Sequence, residues 1–124
     1  MYRLSIALLV LAAAGLMLGT FGCKALALSG EKKYKVDLQN SLLKIKDEIE
    51  EKGEISDRAI SKLQGILDKY EEEFSQKGSY MSALKLIETA ARVKEEPQNE
   101  FLINQSVLMM IVDIEDTLKT EIKD

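Results

Sequence analysis

The sequence predicts an all-α fold, a small antiparallel four-helix bundle behind an N-terminal signal or anchor helix. Three observations predict it. After Gly30, apolar residues recur at spacings of three and four in four successive stretches, the period of an amphipathic helix. No stretch alternates apolar and polar residues with the period of two that a half-buried strand needs. The links between stretches are about three residues long, which turns neighbouring helices antiparallel.

The first 30 residues hold 21 apolar residues and only two charges, Arg3 and Lys24. The remaining 94 residues hold 36 apolar and 36 charged ones. The chain therefore divides into an apolar leader and one small, highly charged domain, with no length for a second. Its single cysteine excludes an internal disulfide.

Segment one, about 31–52, places Leu38, Leu42, Ile45 and Ile49 on one face. Lys44, Glu48 and Lys52 follow at i,i+4 on another face, and Gly53 stops the helix. Segment two, about 56–76, opens with Ser56 as N-cap and Asp57 in the first turn. Its stripe is Ile60, Leu63, Leu67, Tyr70 and Phe74, and Gly78 ends it. Gly65 lies inside it at a cost of about 1 kcal/mol relative to alanine, as expected where two helices approach closely.

Segment three, about 79–95, starts at Ser79 and carries Ala83, Leu84, Ile87, Ala90, Ala91 and Val93. Pro97, the only proline, falls just past its end, where a helix must stop. Segment four, about 99–122, starts near Asn99 and carries Ile103, Val107, Met110, Ile111, Ile114, Leu118 and Ile122.

The leader has its own pattern. Arg3 precedes an uncharged run, and Leu4–Leu18 has the length and composition of a signal-peptide h-region. Gly19, Thr20 and Gly22 follow, then the lone cysteine, Cys23, and Lys24. This region resembles a bacterial lipoprotein precursor of the signal peptidase II type, in which a small residue and a cysteine end the lipobox. Thr20 and Phe21 fit only the relaxed form of that motif. The resemblance implies a signal peptide at 1–22, a lipidated Cys23 with a tether over 23–33, and the helical domain at 34–124. It also implies a lipid anchor in the cell envelope, with Lys24 after the cysteine favouring the outer membrane. Two other readings stay open. Leu4–Gly22, at 19 residues, is near the lower length limit for an uncleaved membrane anchor. Ala25-Leu26-Ala27 matches an ordinary secretory cleavage site. All three export the domain from the cytoplasm.

The run Gly78-x-Tyr80-x-x-Ala83-Leu84-x-x-Ile87-x-x-Ala90, preceded by Leu67, Tyr70 and Phe74, is similar to the helix pair of a tetratricopeptide repeat. That resemblance implies stacked helical hairpins as an alternative to the bundle. It departs at Glu71 and at Pro97, and no second copy recurs at the repeat period.

Catalytic chemistry has little to draw on. Without histidine, Ser-His-Asp and Cys-His arrangements cannot form. Four of the seven glycines lie in the leader, so there is no glycine-rich phosphate loop. Glu50-Glu51, Glu71-Glu72-Glu73 and Glu95-Glu96 point apart around their helices and read as solvated faces. No enzyme activity, metal or cofactor is expected. From Cys23 onward there are 16 basic and 21 acidic residues, which disfavours nucleic acid. Lys32, Lys33 and Lys35 cluster near the anchor, placed either to touch anionic headgroups or to solvate the tether.

Val107-Leu108-Met109-Met110-Ile111-Val112 is apolar all round a helix, where a surface helix should show one stripe and a polar back. Either segment four is a central helix touched on several sides, or Phe101, Leu108, Met109 and Val112 form an exposed interaction face. The expected function is a membrane-tethered, non-enzymatic adaptor that binds a protein partner. The alternatives are a surface-displayed lipoprotein binding host or environmental ligands, or a self-associating structural bundle.

Overall fold

A few terminating residues divide the chain into helices. The computed structural model describes residues 22–123, with side chains from residue 30 onward. The signal peptide expected at 1–22 thus lies almost wholly outside the described residues. Helix α1 spans Gly22–Lys52. Gly53 closes it with φ 71°, a left-handed conformation that costs glycine nothing. Helix α2, Asp57–Lys69, is capped by Ser56, whose hydroxyl accepts from the Ala59 N–H at 3.1 Å. A single turn, α3, spans Glu71–Phe74, and α4 spans Gly78–Glu95. Pro97 opens a 3₁₀ turn, Pro97–Asn99, and α5 runs Glu100–Glu121. No strand occurs among the described residues.

Contacts between helix ends fix the topology. The start of the packed part of α1 meets the start of α4, Tyr34 hydroxyl to Ser79 hydroxyl at 2.7 Å. It also meets the end of α5, where Lys35 Nζ donates to the Ile122 carbonyl at 2.9 Å. The carbonyl of Gly53, just past α1, accepts from Asn104 Nδ2 near the start of α5 at 2.9 Å. Lys94 at the end of α4 pairs with Asp57 at the start of α2 at 3.2 Å. These pairings are those of an up-down-up-down bundle, contained in the unit Lys33–Asp124.

The core is one cluster. Leu38, Leu42, Ile45 and Ile49 meet Leu63, Leu67, Tyr70, Phe74, Leu86, Val107, Ile111, Ile114, Leu118 and Ile122. Each large aliphatic side chain buried this way contributes about 1.5–3 kcal/mol. Helices α4 and α5 lie against each other along most of their length, because small residues on α4 admit the approach. A Cβ at Gly78 would meet Glu121 Oε2 at 3.4 Å and Thr117 Cγ2 at 3.6 Å.

The structure corrects several expectations. Segment two is not one helix, since the chain breaks at Tyr70, with φ −106° and ψ 10°. The Tyr70 hydroxyl donates to Asp37 Oδ2 at 2.7 Å, and the break brings Phe74 onto Tyr34, stacked at 4.5 Å. Gly78 opens α4 instead of ending the preceding helix. Ser79 is buried in the first turn of α4 and serves the bond to Tyr34, not a cap. Leu84 and Ala91 are exposed, and Tyr80 and Leu86 are buried in their stead. On that buried face the Tyr80 hydroxyl donates to the Leu67 carbonyl at 2.7 Å. Gly65 marks no close contact, for a Cβ there meets nothing within 4 Å.

Candidate functional site

Successive residues of an α-helix are turned by about 100°, so the sequence of α5 generates two apolar faces. Ile103, Val107, Ile111, Ile114 and Leu118 point into the bundle and are buried. Phe101, Leu102, Leu108, Met109 and Val112 centre about 150° away from them. Phe101 is 71% exposed, Leu102 64%, Met109 71% and Val112 56%. Leu108 and Met110 are half-buried and pack against the core from the flanks. Of the four residues expected as an interaction face, Phe101, Met109 and Val112 are therefore outward. Leu108 forms the shoulder that joins the outer ridge to the core. From Phe101 to Val112 the ridge rises about 16 Å, three turns of helix.

Sequence periodicity did not single out Leu102, which sits one position from Phe101 and widens the ridge. Its signal was its spacing of seven from Met109, the same spacing that joins Phe101 to Leu108. Beside it, a shallow hollow between α4 and α5 is lined by Thr89, Arg92, Asn99, Leu102, Ile103 and Ser106. The other exposed large apolar residues lie on other helices, Val36 and Leu43 on α1, Met81 and Leu84 on α4.

The acidic runs behave as solvated surface. Glu50, Glu51, Glu71, Glu72, Glu73 and Glu95 are exposed, and Glu96 is held by Arg92 at 3.1 Å. Among the described residues no three His, Cys, Asp or Glu converge as a metal site. The buried tyrosine hydroxyls are committed to hydrogen bonds within the bundle. Burial pushes the Tyr34 hydroxyl up to about 12, against the opposing effect of its bond to Ser79, with nearby Glu121 adding to the rise. Burial, then the Asp37 carboxylate, push Tyr70 up to about 12 as well. Neither phenol ionises near neutrality.

Lys32 and Lys33 are exposed, but Lys35 is buried against the Ile122 carbonyl and is not free to meet a headgroup. Cys23 falls in the first turn of α1. Among the described residues no helix is long and apolar enough to cross a membrane. A scan against protein families, a search of curated proteins and a search of solved structures each find nothing that matches this chain.

Proposed function

We propose that this chain is a membrane-tethered, non-enzymatic helical lipoprotein of the bacterial cell envelope that works as a protein-docking module. The observation that carries the docking role is the outer ridge of α5. It keeps Phe101, Leu102, Met109 and Val112 in solvent although the same helix already supplies a complete inner stripe to the core. Several large apolar side chains exposed on one helix face mark a candidate interaction site. Methionine suits such a surface, because its unbranched side chain adapts to a partner's contour.

The tethering role rests on the leader: an uncharged apolar run ended by Gly22, Cys23 and Lys24. Acylation at Cys23 consumes the only thiol, which otherwise is a liability in an oxidising compartment. Two or more acyl chains hold a protein stably on a membrane. Lys24 after the cysteine favours the outer membrane under the lipoprotein reading.

The intact mass of the membrane-extracted protein tests the tether. The reading requires the mass of residues 23–124 plus acyl groups. A mass equal to the full 124-residue chain, or to a chain starting at Leu28, overturns it. Substituting Val112→Asp tests the docking role, with the folded variant losing its partner. Full retention of the partner overturns the assignment of the ridge.

A further inference from the structure

The turn between α1 and α2 interrupts an apolar pattern that does not stop there. Leu38, Leu42, Ile45 and Ile49 follow one another at spacings of four, three and four. The same alternation passes through Lys52 and Ser56 and arrives at Ala59, Leu63, Ile66 and Tyr70. In the folded chain both groups face the core: all are buried except Ile66, which is half-buried and packs against it. A sustained alternation of three and four is the seam of one long helix. No proline lies between Leu38 and Tyr70 to forbid such a helix. Continued through residues 53–56, it would carry a single apolar stripe about 48 Å long, broken only at Lys52 and Ser56.

A small set of polar contacts keeps the chain folded back at the turn. Gly53 takes φ 71°, the one left-handed backbone among the described residues. Its carbonyl accepts from Asn104 Nδ2 on α5 at 2.9 Å. The Glu48 carboxylate holds Ser56, accepting from its N–H at 2.7 Å and from its hydroxyl at 2.9 Å. Asn104 is 3% exposed, and its Oδ1 has no hydrogen-bond partner. A half-satisfied buried amide is a poor source of stability, for an apolar residue of similar volume leaves no acceptor unpaired. The asparagine instead fixes where the turn sits, the use for which single buried polar residues are best attested.

We infer that the turn between α1 and α2 is a latched hinge, closed by Asn104 and Glu48. On its release α1 and α2 join into one helix, and two copies of the chain exchange α1. Exchange repeats between copies the contacts that α1 makes within one, so it costs little beyond the latch itself. The partner is a second copy of this chain, and the inference stands apart from the docking role of the α5 ridge.

Two variants of the full-length, detergent-solubilised protein test it. Gly53→Ala with Asn104→Leu removes the left-handed preference and the latch while keeping an apolar side chain at the buried position. Sedimentation should show its dimer fraction raised about ten-fold, the factor that one lost hydrogen bond is worth. Spin labels introduced at Lys46 and Lys62 as non-canonical amino acids read the distance within one labelled chain diluted among unlabelled ones. That distance should move from neighbouring antiparallel helices, about 10 Å from axis to axis, to about 24 Å along a single helix. Adding Asp57→Pro should restore the monomer and the short distance. Proline suits the first position of α2, where Ser56 is already extended at φ −72° and ψ 150°, and it forbids a helix running through. A monomer with the short distance in the unlatched variant, a dimer that keeps the short distance, or a dimer indifferent to Asp57→Pro overturns the inference. Loss of helix content in circular dichroism overturns it too, since exchange keeps every helix.

Discussion

Glu48 holds the first turn of the following helix through Ser56. Its Oε1 accepts from the Ser56 N–H at 2.7 Å, and its Oε2 accepts from the Ser56 hydroxyl at 2.9 Å. The same hydroxyl accepts from the Ala59 N–H, so one carboxylate from α1 orients the N-cap of α2. The bond from the Ser56 backbone holds Glu48 below its ordinary value of 4.5, against the opposing effect of burial. The Ser56 hydroxyl, Lys44 and Lys52 add to the lowering.

A lowered carboxylate stabilises the fold above its unfolded-state pKa, and that contribution is lost as pH falls through the folded value. The stabilisation by Glu48 should therefore be full above about pH 4.5 and fade as pH falls from there through the lower folded-state value. Glu48→Gln should cost about 1–2 kcal/mol at pH 7 in urea unfolding. The gap between the variant and the wild type should close as the pH is lowered through the acid range. An equal gap at pH 7 and pH 3 would contradict this role.

The aromatic cluster gives the opposite dependence. Tyr34 and Tyr70 both titrate near 12 in the folded chain, against 10 in the open. The unfolded chain loses these protons first, so their stabilisation is complete below about pH 10 and is lost as pH rises toward 12. Thermal unfolding followed from pH 9 to pH 12 should show a falling midpoint, and the double variant Tyr34→Phe, Tyr70→Phe should flatten the fall.

Gly65 lies in the middle of α2 with helical backbone and open space where a Cβ would go. Gly65→Ala should therefore stabilise the protein by about 1 kcal/mol, through helix propensity and a less flexible unfolded chain. A loss of stability in chemical denaturation would mean that the glycine serves a contact the bundle does not display.

The two faces of α5 should respond differently to truncation. Ile111 is 1% exposed in the core, and Ile111→Ala should cost about 2–5 kcal/mol. Met109→Ala on the outer ridge should change stability by less than about 0.5 kcal/mol. Equal losses in equilibrium unfolding would make the ridge part of the core.

Much of this architecture is legible in the sequence because the relevant signals are local. Leu38, Leu42, Ile45 and Ile49 leave one face for α1, and Ser56 and Pro97 mark helix boundaries by their own chemistry. The misreadings come from contacts distant in sequence. Leu84 and Leu86 are equally apolar, and Leu86 is the one that shares the buried face with Tyr80, Ala83 and Ala90, from which the Tyr80 hydroxyl reaches the Leu67 carbonyl. At the break, Tyr70 is bonded to Asp37, 33 residues earlier. Six consecutive apolar residues in α5 left its outer face undecided, since periodicity cannot say on how many sides a helix is covered.

Methionine oxidation tests the central claim, that the outer ridge of α5 is covered by a partner in the envelope. Met109 and Met81 are both exposed in the isolated chain, at 71% and 49%, and lie on different helices. Oxidation of exposed methionine to the sulfoxide reports solvent access directly. In purified protein both should oxidise readily. In intact envelopes Met109 should be protected while Met81 remains reactive. Equal reactivity of Met109 in envelopes and in purified protein would contradict the claim.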